Sequence, residues 1–293
     1  MRKFLLMISL ILALTRGIWA IEPKVATAFE PIVADVLLGK PVSIPVFDSK
    51  RISSLSALHE GVVSPYSAGG GLNAAQKGSI AIIPLDGAVM KNDYCGAPGT
   101  ASLAKWFAQA DANPNIIGAI LYCDSPGGDV SGTDLLADQI KNMSKPTVAL
   151  VNGMMCSAAY WIGSACDHIM SDSPNNTIGS IGTYCTLRDM SGSLESKGIK
   201  VHEIYATKST EKNKDYKDAL DGNYDTIRNN QIDPINEQFH AAVRSNRYGK
   251  GMDYKGAFTG RTYQTNEAIS KGLIDSAGKL SDAISLIQKM AKA

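Results

Sequence analysis

Two short apolar runs, each ending in turn-forming residues, do most to constrain the fold. Ile116 to Cys123 is one and Thr147 to Val151 the other. Unbroken runs of this length suit strands buried on both faces, as in a parallel sheet covered by helices. The first leads through Asp124-Ser125-Pro126-Gly127-Gly128-Asp129 into a helix pattern at Gly132 to Met143. The second leads through Asn152-Gly153-Met154-Met155-Cys156-Ser157 into a helix of small and apolar residues, Ala158 to Cys166. Around this pair the alternation continues. Ile80 to Leu85 and His168 to Ser171 read as strands, and Thr100 to Ala110 as a helix. Ser180 to Cys185 and Lys200 to Ala206 are further strand candidates, with a helix at Leu187 to Lys197 between them. The pattern predicts an α/β fold with a mostly parallel sheet. Asp225 to Arg247 is a long amphipathic helix, with Ile227, Ile235, Phe239 and Val243 among its apolar positions. A helix at Thr265 to Lys271, a turn at Gly272 and a last helix from Ser281 close the chain.

The alternation begins near Ser79, which sets residues 79–293 apart as the main domain and residues 1–78 as an N-terminal extension. That extension opens with Arg2 and Lys3, then the apolar run Phe4 to Leu14. This is half of a secretory signal pattern, and the run is short for a bilayer. A cut after Ala20 would have Ile18 three residues before it, where a small residue is wanted. A signal peptide, a membrane anchor and a hydrophobic assembly arm remain open for residues 1–20, and with them the compartment. A helical pattern at Ile21 to Gly39 follows, and a Gly-rich linker ends in Gly69-Gly70-Gly71. The net charge of +1 gives no argument for a nucleic-acid partner. Five cysteines, Cys95, Cys123, Cys156, Cys166 and Cys185, are an odd number with no CxxC pair. They read as reduced thiols, with neither a disulfide framework nor a zinc site.

The chemistry gathers at the two loops. Ser157 begins a helix, where free backbone N–H groups favour developing negative charge. Taken alone, the residue reads first as a helix cap, which serine often is; the rest of the chain turns the reading toward a nucleophile. Cys156 beside it is a rival nucleophile or a small core residue. Paired glycines at Gly127-Gly128 let a substrate approach the backbone closely. Both loops follow parallel strands, and crevices at the carboxyl ends of such strands bind ligands. A serine hydroxyl needs a base. Of His59, His168, His202 and His240, His168 lies nearest in the chain to Ser157. A lysine is the other option, since a desolvated amine can lose its proton and then accept one from serine. Lys208-Ser209-Thr210-Glu211-Lys212-Asn213-Lys214-Asp215 is a lysine-rich loop after a strand candidate.

Five pieces then fall in order: Asp124 to Gly128, Cys156 to Trp161, Ile178-Gly179-Ser180-Ile181-Gly182, the lysine loop, and Phe258-Thr259-Gly260-Arg261 with Gly272-Leu273-Ile274-Asp275. From about Ser79 to Ile287 the chain resembles the signal peptide peptidase A family of serine peptidases, peptidase family S49. The Cys-Ser form of the elbow and the short chain most resemble the branch found in phages and prophages, which includes lambda-type head-maturation peptidases. The resemblance implies a Clp-protease/crotonase-like fold of repeated β-β-α units and a Ser/Lys mechanism without metal or cofactor. On it, Ser157 is the nucleophile, and Gly128 and Ala158 supply the oxyanion N–H groups. Lys212 is the base, with Lys214 or Lys208 as alternatives. It further implies a polypeptide substrate, capsid proteins among the candidates, and a homo-oligomer, such as an octamer, in which neighbouring subunits complete each site. Three rival readings remain: a crotonase-like enzyme acting on acyl-CoA, an inactive capsid-assembly or scaffold protein of the same fold, and an envelope peptidase that degrades signal peptides.

Overall fold

In a computed structural model of the chain, the described residues are 19–23, 35, 56–59, 62–65, 72, 75–94 and 97–292. The expected helix at Ile21 to Gly39, the apolar run at Phe4 to Leu14 and Cys95 lie largely or wholly outside them. In chain order the strands and helices are β1 (Trp19–Ile21), β2 (Ser56–His59), β3 (Val62–Pro65), β4 (Ser79–Asp86), α1 (Thr100–Ala112), β5 (Ile116–Ser125), β6 (Gly127–Asp129), α2 (Thr133–Lys141), β7 (Thr147–Cys156), α3 (Ala158–Ser164), β8 (His168–Ser171) and β9 (Thr177–Gly179). There follow α4 (Ser191–Ser196), α5 (Lys214–Leu220), α6 (Asp225–Ile227), a π-helical turn (Arg228–Ile232), α7 (Asp233–Asn246), α8 (Tyr254–Ala257), β10 (Thr262–Gln264), α9 (Thr265–Ser270), β11 (Ser276–Ala277) and α10 (Leu280–Met290).

The main sheet has the order β10-β9-β7-β5-β4-β2-β3, with β8 also on β7 and β11 on β8. Strands β4, β5, β7 and β8 run parallel, as the apolar runs and intervening helices predict. The antiparallel β2–β3 hairpin extends the β4 edge, so strands from before Ser79 join this sheet. The strand β7 is long enough to fork. Its first half, Val148 to Val151, pairs with β8, and its end, Met154 to Cys156, pairs with β9. That fork opens the sheet at the carboxyl end of β7, where the chain turns into α3.

Successive strand residues point to opposite faces. Ile83, Leu121 and Ala149 therefore face a cluster with Phe107 of α1, Leu136 and Ile140 of α2, Trp161 of α3, and Phe239 and Val243 of α7. Ile80, Ile120, Val148 and Leu150 face the other way, onto Ala283 and Ile287 of α10. Both faces of the sheet are thus covered, and the result is the α/β architecture expected. One β-β-α unit is visible directly as β5-β6-α2. Among the described residues no helix is long and apolar enough to cross a membrane.

Two expected strands do not form. The chain at Ser180 to Cys185 leaves the sheet because Ser180 takes a φ of 52° and turns the backbone toward the serine loop. Lys200 to Ala206 has no regular structure and no strand partner among the described residues, and its apolar side chains lie in the open: Val201 is 67% and Ile204 93% exposed. The alternation there is real, but among the described residues no neighbouring strand pairs with it. The helix expected at Leu187 to Lys197 is reduced to α4, and Asp225 to Asn246 is helical throughout once the π-helical turn is included, with Arg247 as the residue that caps it.

Candidate active site

The register of the central strands brings the two loops together. Ser125 at the end of β5 lies opposite Met155 near the end of β7, so the next residues of each chain leave the sheet side by side. Gly127 then packs against the serine turn. A Cβ placed on it would stand 2.8 Å from the Cys156 carbonyl and 2.9 Å from the Ser157 Cβ. Only a glycine, here at φ 91°, permits that approach. Gly128 is equally tight, for a Cβ there would stand 2.1 Å from the Val89 carbonyl. Val89 is what straightens this segment into β6, because its N–H donates to the Gly127 carbonyl at 2.9 Å and its carbonyl accepts from the Asp129 N–H at 2.8 Å. Those bonds use one edge of β6. The Gly128 N–H is therefore directed to the opposite edge.

Ser157 is fully buried and holds φ 56° and ψ −119°. A side-chain-bearing residue in that region carries strain of about 1–3 kcal/mol, which persists only where surrounding bonds hold it. Here the Ser157 N–H donates to the Gly179 carbonyl at 2.7 Å, and its carbonyl accepts from the Trp161 N–H at 2.9 Å. The Ile178-to-Gly182 motif thus acts as a clamp on the elbow. It is itself held by the Phe258-to-Arg261 motif, through Ser180 N–H to the Arg261 carbonyl at 2.9 Å and Gly260 N–H to the Ile181 carbonyl at 3.1 Å. The Ser157 hydroxyl donates to the Gly182 carbonyl at 3.3 Å. Ala158 opens α3, and its N–H points the same way as the orphan donors of any helix start.

The last motif anchors the helix behind the serine. The Tyr160 hydroxyl donates to the Leu273 carbonyl at 2.7 Å. Arg247, 1% exposed, forks onto both Asp275 oxygens at 2.9 and 3.0 Å and also reaches the Gly272 carbonyl at 2.9 Å. Burial would raise the Asp275 carboxyl, but the Arg247 hydrogen bonds and charge, with the Ile169 N–H, hold it below the usual carboxylate range. The sequence gives no sign of this pair beyond the acid of Gly272-Leu273-Ile274-Asp275. Arg247 ends an amphipathic pattern, where a charged residue ordinarily faces water.

The base candidates divide clearly. His168 is not beside Ser157. It sits opposite Val148, at the far end of β7, on the order of 30 Å along the strand from Ser157. Its Nε2 is 2.8 Å from the Ser276 hydroxyl and its Nδ1 is 3.9 Å from Asp275. His240 is buried and stacks on Phe258 at 4.3 Å, and His202 is exposed. Lys208, Lys212 and Lys214 are exposed on the surface of the chain, whereas Ser157 is enclosed. Lys214 pairs with Glu211 at 3.3 Å. Within one chain the glycine loop and the serine meet, and the three lysines of the 208–214 loop are exposed to solvent. Cys156 is no rival nucleophile in this setting. Its thiol is buried, donates to the Thr177 carbonyl at 3.5 Å, and is pushed well up by burial and by the charge of Glu22.

Comparison with known proteins places these motifs in a wider set. The profile of peptidase family S49 matches residues 139–293. Protease 4 of Salmonella typhi is 26% identical over 219 residues, 73% of this chain and 35% of that protein. Capsid assembly protease C of Escherichia phage lambda is 28% identical over 216 residues, 71% of this chain and 48% of that protein. The head-tail preconnector protein GP5 of Enterobacteria phage P21 is 28% identical over 215 residues, 71% of this chain and 42% of that protein. The chain thus spans between a third and a half of the length of these relatives. Among solved structures, ClpP1 of Listeria monocytogenes superposes with a TM-score of 0.43 and 16% identity, over 69% of this chain and 94% of that one. An enoyl-CoA hydratase/isomerase family member gives a TM-score of 0.45 and 17% identity, over 75% and 76% of the two chains.

Proposed function

Because the chain belongs to peptidase family S49, we propose that it is a serine endopeptidase in which a lysine from a neighbouring copy completes the site. The observation that carries the reading is the strained, enclosed Ser157, clamped by Gly179 and packed against Gly127. A mere helix cap has no need of that arrangement. The side chain makes no cap hydrogen bond to α3.

The chemistry follows from the parts. A neutral lysine amine takes the Ser157 proton, and the hydroxyl oxygen attacks the peptide carbonyl carbon. The N–H groups of Gly128 and Ala158 hold the oxyanion, each worth about 3–4 kcal/mol in the transition state. The lysine returns its proton to the leaving amine, and water hydrolyses the ester on Ser157. Lys212 is assigned as the base, with Lys214 and Lys208 next in line. All three are exposed here, and the segment before them carries Ile199, Val201 and Ile204 at 50%, 67% and 93% exposure. A second copy laid over this segment would cover those apolar side chains and place the loop over an adjoining serine.

The β6 edge that carries the Gly128 N–H suits an extended polypeptide adding as a strand. Past Asp129 that edge runs toward an open cavity of about 420 Å³ with Val130, Leu135, Trp161 and Ile235 in its wall. An apolar substrate side chain on the amino side of the cut would fit there. Of the possible roles, capsid maturation in a phage or prophage is favoured by the two phage relatives. An envelope peptidase is the alternative.

Mixed assemblies test the shared site. Ser157→Ala and Lys212→Ala proteins, each inactive alone on a peptide library, are dissociated, mixed and reassembled. Recovery of about a quarter of the wild-type rate is expected, since on random mixing a fraction of sites receives both intact groups. Full activity of Lys212→Ala, Lys214→Ala and Lys208→Ala proteins would remove lysine from the mechanism.

A further inference from the structure

The edge of β6 that should receive substrate already holds a strand of the same chain. Residues Trp19 to Ile21 form β1, which pairs antiparallel with β6 in the register Trp19 to Asp129, Ala20 to Gly128 and Ile21 to Gly127. The Glu22 N–H donates to the Pro126 carbonyl at 2.7 Å, which fixes the phase of the ladder. In an antiparallel pair the bonded positions alternate. With Glu22 and Pro126 bonded, and with Gly127 and Asp129 engaged by Val89 on the other edge, Ala20 and Gly128 are the next bonded pair. The Gly128 N–H is thus aimed at the carbonyl of Ala20. The position of that carbonyl agrees. A Cβ on Gly127 would stand 2.2 Å from the Ala20 oxygen and 2.9 Å from the Ser157 Cβ, so the oxygen lies no farther from Ser157 than those two spans together. Ala20 is fully buried, Ile21 is 2% exposed and Glu22 7% exposed, so this segment is seated in the cleft rather than resting on it.

We infer that Trp19 to Glu22 is the enzyme's own first substrate: the segment fills the cleft as a pseudo-substrate strand, and Ser157 cuts the Ala20–Ile21 bond. The inference rests on the Ser157 peptidase reading above. The step balances as an ordinary hydrolysis. The Ser157 oxygen bonds to the Ala20 carbonyl carbon and its proton passes to the base. The Ala20–Ile21 C–N bond breaks, and the base returns the proton to the Ile21 nitrogen. Water then cleaves the ester, leaving a carboxylate at Ala20 and a new amino terminus at Ile21. Until that happens the strand blocks other polypeptides, because they need the same Gly128 N–H. The smallness of Ala20 has a reason on this account. Its side chain is enclosed at the position next to the cut, and a bulky residue there would meet the packed glycine loop. The site's substrates are then extended polypeptides with a small residue on the carbonyl side of the bond.

The test uses the full chain, purified and incubated alone, with intact mass and N-terminal sequencing as readouts. A serine-reactive phosphonate and a peptide library are applied in parallel. The expected result is loss of residues 1–20 with Ile21 as the new terminus, at a rate independent of dilution of the assembled protein. Library hydrolysis should show a lag of the same duration. Ser157→Ala protein should keep its full length. Ala20→Phe protein should be trimmed more slowly by about tenfold or more, from overpacking beside the cut, and its Ser157 should react with the phosphonate only as trimming proceeds. Trimming of Ser157→Ala at the wild-type rate would overturn the inference by assigning the cut to another enzyme. A wild-type chain that hydrolyses the library without lag while keeping residues 1–20 would overturn it too, and leave the peptidase reading intact. Absence of both phosphonate labelling and library hydrolysis in assembled protein would sink the peptidase reading and this inference together.

Discussion

Replacing Gly127 by alanine tests whether the close approach of the two loops is what makes the site. The new Cβ would stand 2.2 Å from the Ala20 oxygen, 2.8 Å from the Cys156 oxygen and 2.9 Å from the Ser157 Cβ. Against an optimal separation of about 3.5–4 Å, each contact is short by roughly 0.6 Å or more. Two of the three neighbours are backbone oxygens, which cannot rotate away. The residue must also keep φ 91°, a region costly for any side chain. Strain of about 1–3 kcal/mol and overpacking of about 1–3 kcal/mol together predict a loss of roughly 2–6 kcal/mol. If β6 instead shifts to make room, the Gly128 N–H moves with it. A displacement of about 1 Å at such a donor costs on the order of 100-fold in rate. The contacts to Cys156 and Ser157 remain after any loss of β1, so trimming the N-terminus does not rescue the variant. Urea unfolding and phosphonate labelling rates on Gly127→Ala would be compared with Gly192→Ala, where the new Cβ meets nothing within 4 Å and little change is expected. A Gly127→Ala protein within about 0.5 kcal/mol and threefold of wild type would refute the packing argument.

Other outcomes follow from the same geometry. Arg247→Ala strands Asp275 in a half-buried site and should cost about 3–5 kcal/mol by urea unfolding; a loss below about 1 kcal/mol would mean the pair adds nothing. His240 is lowered by burial, with Glu237 raising it and Arg244 lowering it further. The folded state then prefers the neutral ring, so stability is constant above the unfolded value of about 6.5 and falls as pH drops through it toward the folded value. His168, also lowered by burial, adds to that fall. The urea midpoint should therefore drop between about pH 7.5 and 5.5, and His240→Gln should flatten part of the drop; a flat wild-type profile would contradict the assignment. Cys156→Ala should leave library hydrolysis within about threefold of wild type, since a buried thiol with a raised pKa supplies no nucleophile. Loss of activity there with Ser157→Ala still active would reverse the two roles.

What the sequence disclosed is what local rules control. The strands at 79–86, 116–125 and 147–156 show as apolar runs, and the turn at Ser157 shows as a strand-to-helix junction. Four of the five motifs, scattered over about 150 residues, prove to be mutual contacts: the glycine loop packs on the serine turn, one holds the serine, another holds that one and receives Tyr160, and the exposed lysine loop is the exception. What stayed hidden depends on partners distant in the chain. No local pattern marks Gly127 to Asp129 as a strand, since its pairing comes from Val89 and from Ala20, more than 100 residues earlier. Conversely, Lys200 to Ala206 has the alternation of a strand and no strand beside it among the described residues. Arg247 looks like the polar end of an amphipathic helix and is instead among the largest fully buried side chains of the described residues. His168 stood near Ser157 in sequence, but parallel strands place equivalent ends together, and His168 begins its strand where Ser157 ends another.

The central claim is that the Ser157 hydroxyl is the attacking group. Labelling of the assembled wild-type chain with a serine-reactive phosphonate, followed by peptide mass mapping, tests it most directly. The account predicts a single adduct on Ser157 that disappears in Ser157→Ala and forms far more slowly in Lys212→Ala. An adduct on another residue, or a folded assembly whose Ser157 stays unmodified after residues 1–20 have been removed, would contradict it.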